Sequence, residues 1–193
     1  MANILVVYAH PNHNLSRMNN ALINEIDGLN HVRISNLYEK YSDGKINVIE
    51  EQKLIIASDL IILQFPYYWF NTTPLMKAWL DEVLLDGFAY GIGGDKLVGK
   101  QLMCCITIGG SKERYSNESG FTLLDLLKPF EYTAKYCGMI YKKPFVVPNY
   151  NIESETLGIN DNNLKYYSGA YRNLLINFTT DSANALNNSY PSV

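Results

Sequence analysis

Apolar runs recur at Ile4 to Ala9, Val32 to Leu37, Leu60 to Phe65, Leu102 to Ile108 and Ile140 to Val147, and most are continuous rather than alternating. A strand apolar on both faces must be covered on both, as in a parallel sheet flanked by helices. Helical spacing fills the intervals: Met18, Leu22 and Ile26, then Ile49 to Ala57, then Leu75, Trp79 and Val83, then Phe121 to Tyr136, and last Asn162 to about Phe178. Strand and helix in alternation predict an open, doubly wound α/β sheet. With 193 residues, 47% of them hydrophobic, one domain with a substantial core is expected over 1–178, and the polar, aperiodic stretch 179–193 reads as a tail.

Several function classes drop out. The net charge is -3 and the 16 Lys and Arg form no basic stripe, so nucleic-acid binding is not expected. "MANILVVYAHPNHN" has no basic leader and too short an apolar run for a membrane span, so a cytoplasmic protein without direct membrane insertion is expected. Cys104, Cys105 and Cys137 show no C-x-x-C spacing and read as buried, reduced thiols. His10 and His13 lack the partners that a metal site requires, so no metal is expected. "GDKLVGKQ" at Gly94 to Gln101 imitates a phosphate-binding loop, but Gln101 stands where Ser or Thr should be and the segment leads into a strand.

In doubly wound sheets ligands bind outside the carboxyl ends of the strands, which singles out three loops. In "YAHPNHNLSRMNNAL", Ser16 can cap a helix whose free N–H groups suit an anion, although a plain capped helix has the same pattern. In "QFPYYWFNTTPLMKAW", Pro66 closes a strand and Thr73-Pro74 opens a helix with a cap and a first-turn proline. Between them stand Tyr67, Tyr68, Trp69 and Phe70, which suit a flat apolar ring, a protein interface or a cover for the core. In "TIGGSKERYS" a strand runs into Gly109-Gly110, where backbone amides can approach a ligand or simply make a turn.

Taken together, "VVYAHPNHNLSRMN", "FPYYWFNTTPLMKAWLDEV", "GFAYGIGGDKLVGKQL", "TIGGS" and "YCGM" resemble the flavodoxin-like NAD(P)H:quinone oxidoreductases. The likeness is greatest to the bacterial branch with stand-alone NAD(P)H dehydrogenases and ancillary subunits of glutathione-gated potassium efflux systems. It implies a flavodoxin-like doubly wound five-stranded parallel sheet of order 2-1-3-4-5, with helices on both faces. It also implies FMN or FAD as cofactor, NADH or NADPH as reductant, a quinone-like acceptor with ping-pong hydride transfer, and a homodimer. A membrane potassium-efflux protein is the alternative partner. By the same resemblance His10, Ser16, Arg17, Met18 and Asn19 would hold the flavin phosphate and ribityl chain. Pro66, Tyr67, Tyr68 and Trp69 would line the ring; Thr107, Ile108, Gly109 and Gly110 would meet its polar edge. Tyr115 matches the catalytic Tyr of eukaryotic relatives, but Phe121 stands where they carry a His. Tyr68 likewise stands where many relatives have Gln.

Overall fold

The computed structural model describes residues 2–109, 115, 120–148, 150–151 and 156–178. The expected tail 179–193 and Gly110 lie outside the described residues. The sheet contains β1 (Ile4–Tyr8), β2 (Val32–Asn36), β3 (Leu60–Pro66), β4 (Gln101–Ile108), β5 (Ile140–Tyr141) and β6 (Phe145–Pro148). Its order is β2-β1-β3-β4-β5, with β6 also pairing β4, and every pairing within it is parallel. β1 and β3 are buried along their whole length, as continuous apolar runs require.

The expected fifth strand is two strands. Gln101 pairs Ile140 and Leu102 pairs Tyr141, but Cys105 pairs Phe145. Two residues of β4, Met103 and Cys104, therefore stand opposite three, Lys142 to Pro144. Pro144 has no N–H to give the ladder, so one extra residue is accommodated there as a bulge. After β6 a short antiparallel pair, β7 (Tyr150–Asn151) with β8 (Thr156–Leu157), leads to the last helix.

Two helices cover one face, α1 (Arg17–Ile26) and α7 (Asp161–Ile176), which bury Met18, Leu22 and Ile26 with Tyr171, Leu174 and Leu175 against Val6 and Ile62. The other face packs Leu63 and Cys104 under α3 (Val48–Ile56), α4 (Pro74–Val83) and α6 (Lys128–Tyr136); α2 (Leu37–Lys40) and α5 (Leu123–Leu126) are single turns. The pattern Phe121 to Tyr136 predicts one helix, yet α5 and α6 are separate. Pro129, in the first turn of α6, cannot donate to Asp125 as a continuous helix demands, and Thr122 and Asp125 close a capping box on α5. The three cysteines are buried and free, and burial pushes each thiol up.

On the second face a single carboxylate ties four elements together. Glu51 of α3 is fully buried and accepts from Lys40 Nζ at 2.7 Å, Ser35 Oγ at 2.8 Å, Tyr41 OH at 2.8 Å and Trp79 Nε1 at 2.9 Å. Burial pushes this acid up, but its donors, Lys40 foremost, outweigh burial and hold it below its ordinary value.

Candidate functional site

The order reverses between β1 and β3, and the loops that follow them flank a cavity of about 750 Å³. In an open α/β sheet this is where a ligand is expected. The loop after β1 forms a short 3-10 turn at His13–Leu15 and then α1, whose N-cap is Ser16. Ser16 Oγ accepts the N–H of Asn19 at 3.3 Å, so the side chain answers one orphan donor of the first turn. The N–H groups of Arg17 and Met18 have no intrahelical acceptor by their position, and both residues line the cavity.

Two histidines stand at this turn. His10 Nδ1 accepts the N–H of Asn12 at 3.0 Å, which leaves the ring proton on Nε2. Burial, then the neighbouring His13, lowers the His10 value and favours the neutral ring. Tyr8 OH meets His13 Nδ1 at 2.8 Å, and burial raises the Tyr8 phenol, which stays protonated. His10 also stands edge-on to Tyr68, with ring centroids 6.4 Å apart.

The loop after β3 is pinned at both ends. Tyr67 N donates to Thr107 O at 2.8 Å, and Thr73 Oγ1 donates to the buried Ala9 carbonyl at 3.3 Å. Thr73 is thus the N-cap residue of α4 by position, but its hydroxyl ties two loops together instead of capping the helix as its sequence suggests. Between the pins, Tyr68 and Asn71 exchange backbone hydrogen bonds at 3.0 and 2.9 Å, closing a two-residue hairpin turn on Trp69 and Phe70. Their φ values are +46° and +60°. Turns of this hand normally carry Asn-Gly, so a Trp-Phe pair stores strain of roughly 1–2 kcal/mol per residue. The turn lifts Trp69 to 93% exposure and Phe70 to 60%.

Cavity-lining residues are His10, Ser16, Arg17, Met18, Pro66, Tyr67, Tyr68, Thr107, Ile108 and Gly109 from the expected set. Two others of that set stand elsewhere. Trp69 is at the exposed hairpin tip and does not line the cavity. Asn19 is buried behind the wall, its Nδ2 donating to Ser16 Oγ and Thr107 Oγ1, each at 3.0 Å. Tyr67 gives little of its ring, since its OH donates to Leu126 O at 2.9 Å; burial, with Tyr115 close by, pushes it up to about 12. Tyr115 is half-buried beside it, outside the lining, and Phe121 is exposed.

A fourth wall was not expected. Val147 and Pro148 of β6 and Gly158, Ile159 and Asn160 before α7 complete the cavity, and Arg17 ties them in through Ile159 O at 2.9 Å and Asp161 Oδ1 at 2.6 Å. The signal was present: Ile140 to Val147 is one of the apolar runs, and its carboxyl end faces the same edge. Asn160 caps α7, accepting from Asn163 N at 2.7 Å. No group of three or more His, Cys, Asp or Glu placed to hold a metal occurs among the described residues. No helix among them is long and apolar enough to cross a membrane.

A parallel sheet in this order, with a capped helix start and an aromatic-rich loop meeting at its switch point, defines a flavodoxin-like protein. The chain belongs to the flavodoxin-like NAD(P)H:quinone oxidoreductase family, and the family model described as "Flavodoxin-like fold" matches residues 2–168. It is 38% identical over 146 residues to the glutathione-regulated potassium-efflux system ancillary protein KefF of Salmonella schwarzengrund, covering 75% of this chain and 82% of that one. The solved structure of general stress protein 14 from Treponema denticola in complex with FMN is 33% identical, with a TM-score of 0.82, covering 90% of this chain and 98% of that one. An NADPH-quinone reductase from P. pentosaceus is 26% identical, with a TM-score of 0.80, covering 92% and 99%.

Proposed function

We propose that the chain is an FMN-dependent NAD(P)H:quinone-type oxidoreductase acting as a homodimer. The observation that carries this is the chemistry of the cavity, which joins a helix N-terminus with two unused backbone donors to a face made by Pro66 and Tyr68. Its described lining contains no carboxylate. Those features suit a ligand with an anionic end and a flat apolar end, and the volume lies within the range of such sites. Apart from its chain neighbours, a β-carbon at Gly109 would meet no atom of the described residues within 4 Å, which leaves the backbone there open to a ligand. FAD suits the same donors; the FMN-bound relative favours the shorter cofactor.

Bound flavin supplies hydride transfer from NADH or NADPH to a quinone-like acceptor in two alternating half-reactions through one pocket. The chain's own groups bind, orient and donate. Ser16 and the amides of Arg17 and Met18 hold the phosphate, with His10 Nε2–H beside them. Tyr68 and Pro66 fix the ring plane. Thr107, Ile108 and Gly109 address its polar edge, each preorganised donor contributing about 3 kcal/mol. The strained tip carrying Trp69 and Phe70 is the apolar surface that a second protomer covers.

One absorbance spectrum, with mass spectrometry of the released cofactor, tests this. A yellow protein releasing about one FMN per chain is expected. A protein that stays colourless and quenches no flavin on reconstitution ends the proposal. The similarity to KefF favours a second reading, a flavin-binding subunit that acts by docking on a membrane potassium-efflux protein. Capture of such a protein from solubilised membranes, with no quinone reduction by the pure chain, would select it.

A further inference from the structure

The Asn19 side chain bridges the helix start and the end of β4 behind the cavity wall and is not among the residues that line the cavity. Its two amide protons are shared between Ser16 Oγ and Thr107 Oγ1, each 3.0 Å from Nδ2, while Oδ1 is buried without a partner. The opposite orientation of the amide would bury two N–H donors in place of one acceptor, a greater loss, so the assignment stands on chemistry. Ser16 Oγ already accepts the Asn19 backbone N–H at 3.3 Å. With Nδ2–H as a second donor, both of its lone pairs are engaged, and the hydroxyl proton is left to donate. Thr107 Oγ1 likewise has an acceptor site filled from behind. Both residues line the cavity.

We infer that Asn19 is a positioning residue, which sets Ser16 and Thr107 as hydroxyl donors toward the cavity and so selects an acceptor-rich, anionic ligand. It touches no ligand itself. A hydroxyl free to turn spends part of its time accepting, and an anion finds no donor then; the amide removes that alternative before the ligand arrives. The inference rests on the flavin reading above and gives its phosphate and ribityl oxygens their partners.

A double-mutant cycle read by FMN fluorescence quenching tests it. Asn19→Leu in the natural background should weaken FMN binding about tenfold, because two aligned donors become unaligned. In a background carrying Ser16→Ala and Thr107→Val, the same change should alter it less than about twofold, since there are no hydroxyls left to orient. Equal factors in the two backgrounds would make Asn19 a packing residue and overturn the inference. Asn19→Asp keeps the shape but makes both hydroxyls donate backward, so it should bind FMN more weakly than Asn19→Leu; the reverse ranking also overturns it. In the flavin-free protein both side-chain amide protons of Asn19 should be slow to exchange by nuclear magnetic resonance, and fast exchange counts against the assignment. A natural chain that binds no FMN overturns the flavin reading and this inference with it. FMN binding with an additive cycle overturns this inference alone.

Discussion

Glu51 and Asn19 are both buried polar side chains, but one sits in a finished cluster and the other in an unfinished one. Around Glu51 both carboxylate oxygens are used, by Lys40, Ser35 and Tyr41 on one and Trp79 on the other. Around Asn19 the chain ends at hydroxyls and free amides that face a cavity of about 750 Å³, and Asn19 Oδ1 is left over. A satisfied buried network fixes a fold, whereas donors with nothing opposite them inside the protein are available to something outside it. One sheet thus divides the work: its α3–α4 face is built to stay, and the carboxyl ends of β1 and β3 are built to receive.

The largest effect that can break this contrast is on stability. Glu51→Gln places an amide N–H against either Trp79 Nε1–H or the Lys40, Ser35 and Tyr41 donors, whichever way it turns. A loss of about 3–4 kcal/mol is expected, as when one partner of a buried ion pair is removed, with flavin affinity per folded molecule unchanged. Acid titration sharpens it. The Glu51 acid is held lower in the folded protein than its ordinary 4.5, so its contribution is complete above that pH and is lost as pH falls through the folded value. Chemical denaturation between pH 7 and pH 3 should therefore show a steeper acid loss in the natural chain than in Glu51→Gln. Parallel curves would show that the carboxylate is not what the cluster depends on.

Next comes a change with the opposite signature. Ser16→Asp still supplies an N-cap acceptor and suits the positive end of α1, so unfolding should shift by less than about 1 kcal/mol. It sets a carboxylate where the phosphate is proposed, and FMN affinity should fall about 100-fold. Equal damage to stability and binding would make Ser16 a structural cap like Asn47, which accepts from Glu50 N at 3.2 Å in α3. Gly109→Ala is a milder version: with open space at its β-carbon, the fold should not notice, while FMN binding should drop about tenfold by steric intrusion. An alanine variant that binds normally would place the ligand away from Gly109.

Sequence periodicity was enough to find the receiving edge, because continuous apolar runs leave a chain little choice beyond a covered parallel sheet. It failed where one residue's chemistry overrode the pattern. Pro144 split the run from Ile140 to Val147, and Pro129 split the helix from Phe121 to Tyr136, both by withholding a backbone donor. Ser16 was legible as a cap because capping is local. Thr73 was not, since its hydroxyl is drawn to the Ala9 carbonyl, 64 positions away. Nor was the role of Asn19, whose link to Thr107 spans 88 positions, a contact that no local rule foretells. Nor was the position of Trp69, which the turn that holds Tyr68 against Asn71 directs to an exposed tip.

The smallest effect concerns that tip, where the receiving edge departs furthest from what local preference would choose. Trp69 and Phe70 both have positive φ, and the second of these positions is where such turns favour Gly most strongly. Phe70→Gly removes the β-carbon that makes the left-handed conformation unfavourable and takes away an exposed ring that contributes little to the core. The flavin-free chain at low concentration should gain about 1 kcal/mol in stability, less the extra flexibility that Gly brings to the unfolded state. If a second protomer covers the tip, the same variant should dissociate at higher protein concentration than the natural chain and lose flavin on dilution, by sedimentation and fluorescence read together. A variant that is more stable and dimerises equally well would separate the strain from assembly. One that is less stable even as a monomer would show that Phe70 packs at home, and the tip would then belong with the finished side of the molecule.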